Sequence, residues 1–147
     1  MNIKKVVVIG SGTMGSGIAA HLCNAKIPVT LLDLTTEISE KARERIHKSK
    51  PPLLLDKSQI ENIKVGNISD NFDVVKEADW VVEAVVERID IKHNIYEKIF
   101  KNRKAGAIVS SNTSSIPIKV LSEKLTAEEK KISVSLTFLI QFDIWVY

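Results

Sequence analysis

One cysteine, Cys23, is the only thiol in this 147-residue chain. No internal disulfide is possible, a reducing compartment fits, and a lone thiol in an apolar run reads as a small core residue. No apolar run approaches the ~18 residues needed to span a bilayer. The short apolar stretch at residues 5–9 leads too directly into glycines to be a signal peptide. A membrane partner is therefore not expected, and the expected location is cytoplasmic. A large excess of one charge is also missing. The 21 basic and 18 acidic residues leave a net charge of +3, spread along the chain, which argues against a nucleic-acid partner. There is no low-complexity linker and no repeat shorter than a strand–helix unit, so the length describes about one domain. No metal site is expected.

What is present is a globular composition, 44% hydrophobic and 27% charged, organised around residues 6–20, VVVIGSGTMGSGIAA. The β-branched run Val6-Val7-Val8-Ile9 stops at Gly10-Ser11-Gly12-Thr13-Met14-Gly15, and Ile18-Ala19-Ala20-His21-Leu22 continues as helix. The spacing predicts a strand, a tight turn and a helix. Gly10 would make the turn, Gly12 would let the backbone approach a pyrophosphate, and Gly15 would let helix and strand pack closely. The phosphates would rest on the free N–H groups at the helix start, where Thr13 and Met14 lie. A strand over 28–33 then ends in Asp33, 23 positions after Gly10. A carboxylate there can accept both ribose hydroxyls of adenosine and repel a 2′-phosphate, which predicts NAD over NADP. An ordinary strand-end aspartate is the plainer alternative.

Further on, residues 36–49 read as a charged helix capped by Thr36, with Ile38, Ala42 and Ile46 as its apolar stripe and His47 on its surface. Pro51-Pro52 stop it, and 53–62 is a connection. A weak strand over 63–68 and a short helix over 70–78 follow. Residues 80–87, WVVEAVVE, form the clearest buried strand, yet they contain Glu83 and Glu87. A carboxylate in an apolar parallel strand is costly unless paired or placed at the strand's carboxyl end, where ligands bind. A helix over 91–100 buries Ile95, Tyr96 and Ile99. A strand over 107–111 delivers six small polar residues, Ser110 to Ser115, which suit either a solvated turn or a site. A helix over 116–125 closes the pattern. Strands alternating with helices predict a mostly parallel sheet.

GSGTMGSGIA, LLD at Asp33, VVEAVVE and SNTSS together resemble the NAD-binding domain of the 3-hydroxyacyl-CoA dehydrogenases, over about residues 5–131. The resemblance implies an α/β fold of Rossmann type, a doubly wound and mostly parallel sheet with helices on both faces. It also implies NAD as cofactor and an acyl-CoA substrate whose carbon-3 hydroxyl is oxidised. By position, Glu87 and Lys92 resemble the pair near the nicotinamide ribose. Ser114 resembles the serine that touches both substrate oxygen and cofactor, and Asn112 shapes the same loop. For Lys92 the alternative is a plain surface lysine. The family further uses a histidine in an HFFNP motif as general base, and adds a helical C-terminal domain that closes the cleft and carries the dimer contact.

In this chain the tail from 132 to 147 departs from that pattern. The three histidines are His21, His47 and His93, and four of the eight aromatics fall in the last ten residues. A frameshift accounts for this. Residues 136–145 written as CTC ACT TTT TTA ATC CAG TTC GAT ATA TGG, read from the third base of Leu136, become His-Phe-Phe-Asn-Pro-Val-Arg-Tyr-Met. The slip would lie near Ser133 or Val134. A native last strand is the alternative, since 132–138 partly alternates; in either case the tail is an aggregation hazard if it does not dock. The expected organisation is an NAD-binding domain over 1–131, an aberrant tail over 132–147, and no C-terminal helical domain or dimer surface. The chain alone is then expected to hold NAD without turnover. A non-catalytic NAD-binding module or a decaying gene product are the rival readings.

Overall fold

The computed structural model describes residues 3–135. Six strands and five α-helices alternate: β1 Val6–Ile9, α1 Thr13–Asn24, β2 Val29–Asp33, α2 Thr36–Lys48, β3 Ile63–Asn67, β4 Trp80–Glu83, α3 Ile89–Asn102, β5 Ile108–Ser111, α4 Ile118–Leu121, α5 Ala127–Ile132 and β6 Ser133–Ser135. Two 3-10 turns, Lys57–Asn62 and Phe72–Glu77, precede β3 and β4. All strand pairs are parallel, in the order β3-β2-β1-β4-β5-β6. The chain winds from β1 outward to β3, then returns to the other side of β1 for β4 and winds outward again. The crevice between the carboxyl ends of β1 and β4 is therefore the switch point at which ligands bind in open sheets of this kind.

The central strands are apolar on both faces because both faces are covered. Val6 and Val8 pack with Ile18, Cys23, Ala42 and Ile46, while Val7 and Ile9 pack with Val75, Ile95, Tyr96 and Ile99. Cys23 is a buried core residue, as expected.

Several boundaries differ from the sequence expectation for physical reasons. Helix α1 already begins at Thr13, so Gly15 lies within its first turns. The cap of α2 is Thr35, whose hydroxyl accepts from the Ile38 amide; Thr36 is the first helical residue. Ala42 and Ile46 are buried on α2, but Ile38 is exposed because the first turn of the helix overhangs the crevice. The strand expected over 80–87 ends at Glu83. The Glu83 carboxylate accepts from the Val85 amide at 2.7 Å and bends the chain out of the sheet there. The helix expected over 116–125 is reduced to α4, which starts at the carbonyl of Pro117. Helix α5 lies outside the pattern expected from sequence, although its start carries a Thr-x-x-Glu signature. The Thr126 amide donates to Glu129 Oε2 at 2.7 Å and the Glu129 amide to Thr126 Oγ1 at 3.3 Å, a reciprocal capping box. Strand β6 occupies the start of the segment read as alternating, and residues 136–147, on which the shifted-frame reading rests, lie outside the described residues.

Candidate functional site

The glycine turn forms because each glycine meets a different constraint. Gly10 sits at φ +100°, and a Cβ there would stand 2.4 Å from the Ala84 carbonyl oxygen, so the backbone just after β4 leaves no room for a side chain. A Cβ on Gly15 would stand 1.8 Å from the Gly10 carbonyl oxygen, which explains the tight seating of α1 on the turn. Gly12, the N-cap of α1, would meet nothing within 4 Å and makes no side-chain cap. Space on that side together with uncapped helix N–H groups suits a diphosphate, which places Thr13 and Met14 at the anion-attracting end of the helix.

Beside the turn, Asp33 at the end of β2 is half-buried. Its Oδ2 accepts from the Ser11 amide at 2.6 Å and the Ser11 hydroxyl at 2.5 Å, and its Oδ1 accepts from the Leu34 amide at 2.7 Å. These bonds hold the carboxylate at the mouth of a cavity of about 340 Å³ lined by Gly10, Gly12, Asp33, Leu34, Ile38 and Val86, among others. Leu34, Ile38 and Val86 are exposed large apolar side chains, and such a cluster around a polar anchor is what a purine face needs. Arg45, which sequence reasoning passed over as one charge among many on α2, lines the same cavity and donates to the Ser11 carbonyl at 2.8 Å. Its spacing along the helix, seven after Ile38, is the signal that puts it on the crevice side.

The other half of the crevice is built from side-chain charge. Glu83 and Lys92 are both fully buried, with Lys92 Nζ at 2.8 and 3.0 Å from the two Glu83 oxygens. The Ser111 hydroxyl donates to Glu83 Oε2 at 2.5 Å. Lys92 also stands 3.6 Å from Glu87 Oε2, so it is not a plain surface lysine: α3 turns it inward. Glu87, 38% exposed, accepts from Thr113 Oγ1 at 3.0 Å and from the Ser114 amide at 3.2 Å. Ser114 itself is exposed, and Asn112 is tied to β4 through its amide and the Glu83 carbonyl at 2.7 Å. Beneath this group, burial pushes the Tyr96 phenol well above its usual range; the bond with Ser111 opposes that shift and the Glu83 charge adds to it. The SNTSS loop is thus docked on Glu83 and Glu87 and is not a free turn.

A glycine turn at the switch point, an acid closing the neighbouring strand and an apolar slot between them make this a Rossmann-type dinucleotide-binding domain. Comparison with known proteins narrows the class. The family model "3-hydroxyacyl-CoA dehydrogenase, NAD binding domain" matches residues 5–138. A protein of Deinococcus radiodurans named "Probable 3-hydroxyacyl-CoA dehydrogenase" is 42% identical over 130 residues, which cover 84% of this chain and 38% of the relative. The human mitochondrial hydroxyacyl-coenzyme A dehydrogenase is 31% identical over 140 residues, covering 87% of this chain and 44% of that protein. The crystal structure of 3-hydroxybutyryl-CoA dehydrogenase from Escherichia coli K12 superposes with a TM-score of 0.79 at 25% identity, over 92% of this chain and 29% of the other. The chain belongs to the 3-hydroxyacyl-CoA dehydrogenase family, as its NAD-binding domain, and its cofactor is NAD. It spans less than half the length of these relatives.

Proposed function

We propose that these residues form the cofactor half of an NAD-dependent enzyme that oxidises L-3-hydroxyacyl-CoA to 3-oxoacyl-CoA in fatty acid metabolism, working in the cytoplasm. The observation that carries the reading is the convergence of Gly12, Asp33, Glu87 and Ser114 on one edge of the sheet. When bound, NAD supplies the hydride acceptor. In this reading the turn at Gly10, Gly12 and Gly15, with Thr13 and Met14, holds the pyrophosphate. Asp33 accepts the adenosine ribose hydroxyls, and Glu87 accepts a hydroxyl at the nicotinamide end. Lys92 backs Glu87 from the buried side, its Nζ 3.6 Å from Glu87 Oε2. The exposed Ser114 hydroxyl contacts the substrate oxygen while its amide remains on Glu87.

The proton of the substrate hydroxyl needs an acceptor, and in the family that is the histidine of the HFFNP motif, which the sequence after Ile132 does not contain. His21 and His47 are exposed on α1 and α2, and His93, partly buried on α3, has its Nε2 3.2 Å from the Val120 carbonyl on α4. None of the three lines the cavity at the glycine turn. Removing a general base typically forfeits about 10²- to 10⁴-fold in rate. These 147 residues by themselves therefore bind NAD and do not turn over an acyl-CoA. The partner that completes the cleft, and any dimer contact, lie with the helical domain of the family. We further propose that the reading frame shifts near Ser133 or Val134, which sequencing the gene would test: a downstream frame encoding HFFNP followed by a helical domain supports it, and no such frame refutes it. For the function itself, the purified chain is mixed with NAD and 3-hydroxybutyryl-CoA. Saturable NAD binding with no NADH formed is expected, and clear NADH production would overturn the claim of inactivity.

A further inference from the structure

Glu83 is the most deeply placed carboxylate at the carboxyl edge, with no exposed side-chain surface, and the cofactor reading gives it no task. An ionised carboxylate in an apolar strand is tolerated only when paired and hydrogen-bonded. Here Oε1 accepts from Lys92 Nζ at 2.8 Å and the Val85 amide at 2.7 Å, and Oε2 from the Ser111 hydroxyl at 2.5 Å and Lys92 Nζ at 3.0 Å. Such a buried pair is often replaceable by apolar residues of equal volume without loss of stability, so stability alone is weak grounds for its presence. What distinguishes this pair is its third member. The ammonium that Glu83 holds at two short distances stands 3.6 Å from Glu87 Oε2. Glu87 is gripped from its other side by Thr113 Oγ1 and the Ser114 amide.

We infer that Glu83 is a positioning residue for cofactor recognition: by binding Lys92 it holds that ammonium back from Glu87 and so fixes where Glu87 presents its oxygens. With the Glu83 carboxylate replaced by an uncharged group, the charge of Lys92 acts on Glu87 alone. The 3.6 Å pair contracts, Glu87 is drawn inward from Thr113 and Ser114, and a ribose hydroxyl must compete with an ammonium for the same lone pairs. With Glu83 in place, the ammonium is already shared, and an oxygen of Glu87 remains available. The inference rests on the proposed contact of Glu87 with the nicotinamide ribose.

The test is calorimetric titration of the full chain with NAD and, separately, with ADP, which has the adenosine and diphosphate but no nicotinamide ribose. Glu83→Gln is expected to weaken NAD about tenfold while ADP changes by less than about twofold. Glu87→Gln lowers the same NAD-to-ADP ratio, and in the double variant the losses do not add, because Glu83 acts only through Glu87. Equal loss of NAD and ADP affinity in Glu83→Gln, or no loss of either, overturns the positioning role. If Glu87→Gln leaves the ratio unchanged, the ribose contact itself is wrong and the inference falls with it. If Glu87→Gln lowers the ratio and Glu83→Gln does not, only the role of Glu83 fails. Binding of neither ligand by the native chain overturns both. Should Glu83→Gln not yield folded protein, Ser111→Ala decides instead: a selective NAD loss of about threefold supports the role, and an unchanged ratio overturns it.

Discussion

The two halves of the sheet's carboxyl edge are built by different means. Beside β1 and β2 it is built mainly from backbone: the Gly10 turn, the uncapped start of α1 and a single carboxylate, Asp33, pinned by Ser11. Beside β4 and β5 it is built from side-chain charge, with Lys92 between Glu83 and Glu87 and with Ser111 and Thr113 as hydroxyl donors. A backbone site tolerates almost any neighbours but no Cβ in the wrong place. A charge-built site tolerates changes of shape but not the loss of one partner.

That contrast is broken most severely at Lys92. Lys92→Met leaves Glu83 buried without its counter-ion, and a loss of about 3–5 kcal/mol of folding stability is expected by urea denaturation. An unchanged midpoint would mean that the ion pair is not what holds β4 to α3. On the backbone side, Gly15→Ala puts a methyl group 1.8 Å from the Gly10 carbonyl, and about 1–3 kcal/mol is expected to be lost. Gly12→Ala sharpens the same point, since its methyl meets nothing within 4 Å. There the fold should change by no more than about 1 kcal/mol, while titration shows NAD binding clearly weakened.

A smaller effect is expected at Asp33. Asp33→Asn should weaken NAD about tenfold through loss of charged acceptor bonds and narrow the gap to NADP, measured by parallel titration with the two cofactors. The smallest lies at the opposite, amino edge of the sheet. There Asp79 accepts from Lys104 Nζ at 2.5 Å and from the Lys4 and Lys5 amides at 2.7 and 2.9 Å, bonds that hold its carboxyl at about 2 instead of 3.8. Because the folded-state value is the lower one, this contribution is complete above pH 3.8 and disappears as pH falls through about 2. Asp79→Asn should flatten the acid limb of a pH–stability profile and leave NAD affinity at neutral pH untouched.

How legible each half is in the sequence follows from how it is built. Backbone geometry demands glycine at set spacings, so Gly10, Gly12 and Gly15 can be read directly, and the acid ending β2 follows from the same unit. The alternation of elements also gives the parallel sheet and its two covered faces. Charge networks leave a weaker trace. Glu83 is conspicuous as an acid among valines, but nothing local says that its partner is Lys92, nine residues on and across the start of α3, because the pairing exists only after packing. Arg45 and Thr113 are hidden for the same reason. Helix α4 is shorter than its amphipathic pattern because Pro117 sets its start and a turn through Ser122 and Leu125 ends it. The capping box at Thr126 was there to be read.

The central claim is that NAD lies along this edge with its adenosine ribose on Asp33 and its nicotinamide end toward Glu87. Titrating the chain with NAD and NADP side by side, with ADP as competitor, tests it most directly. The expected result is saturable NAD binding displaced by ADP, with NADP about tenfold weaker. Equal affinity for NADP, or no saturable binding of NAD, would contradict it.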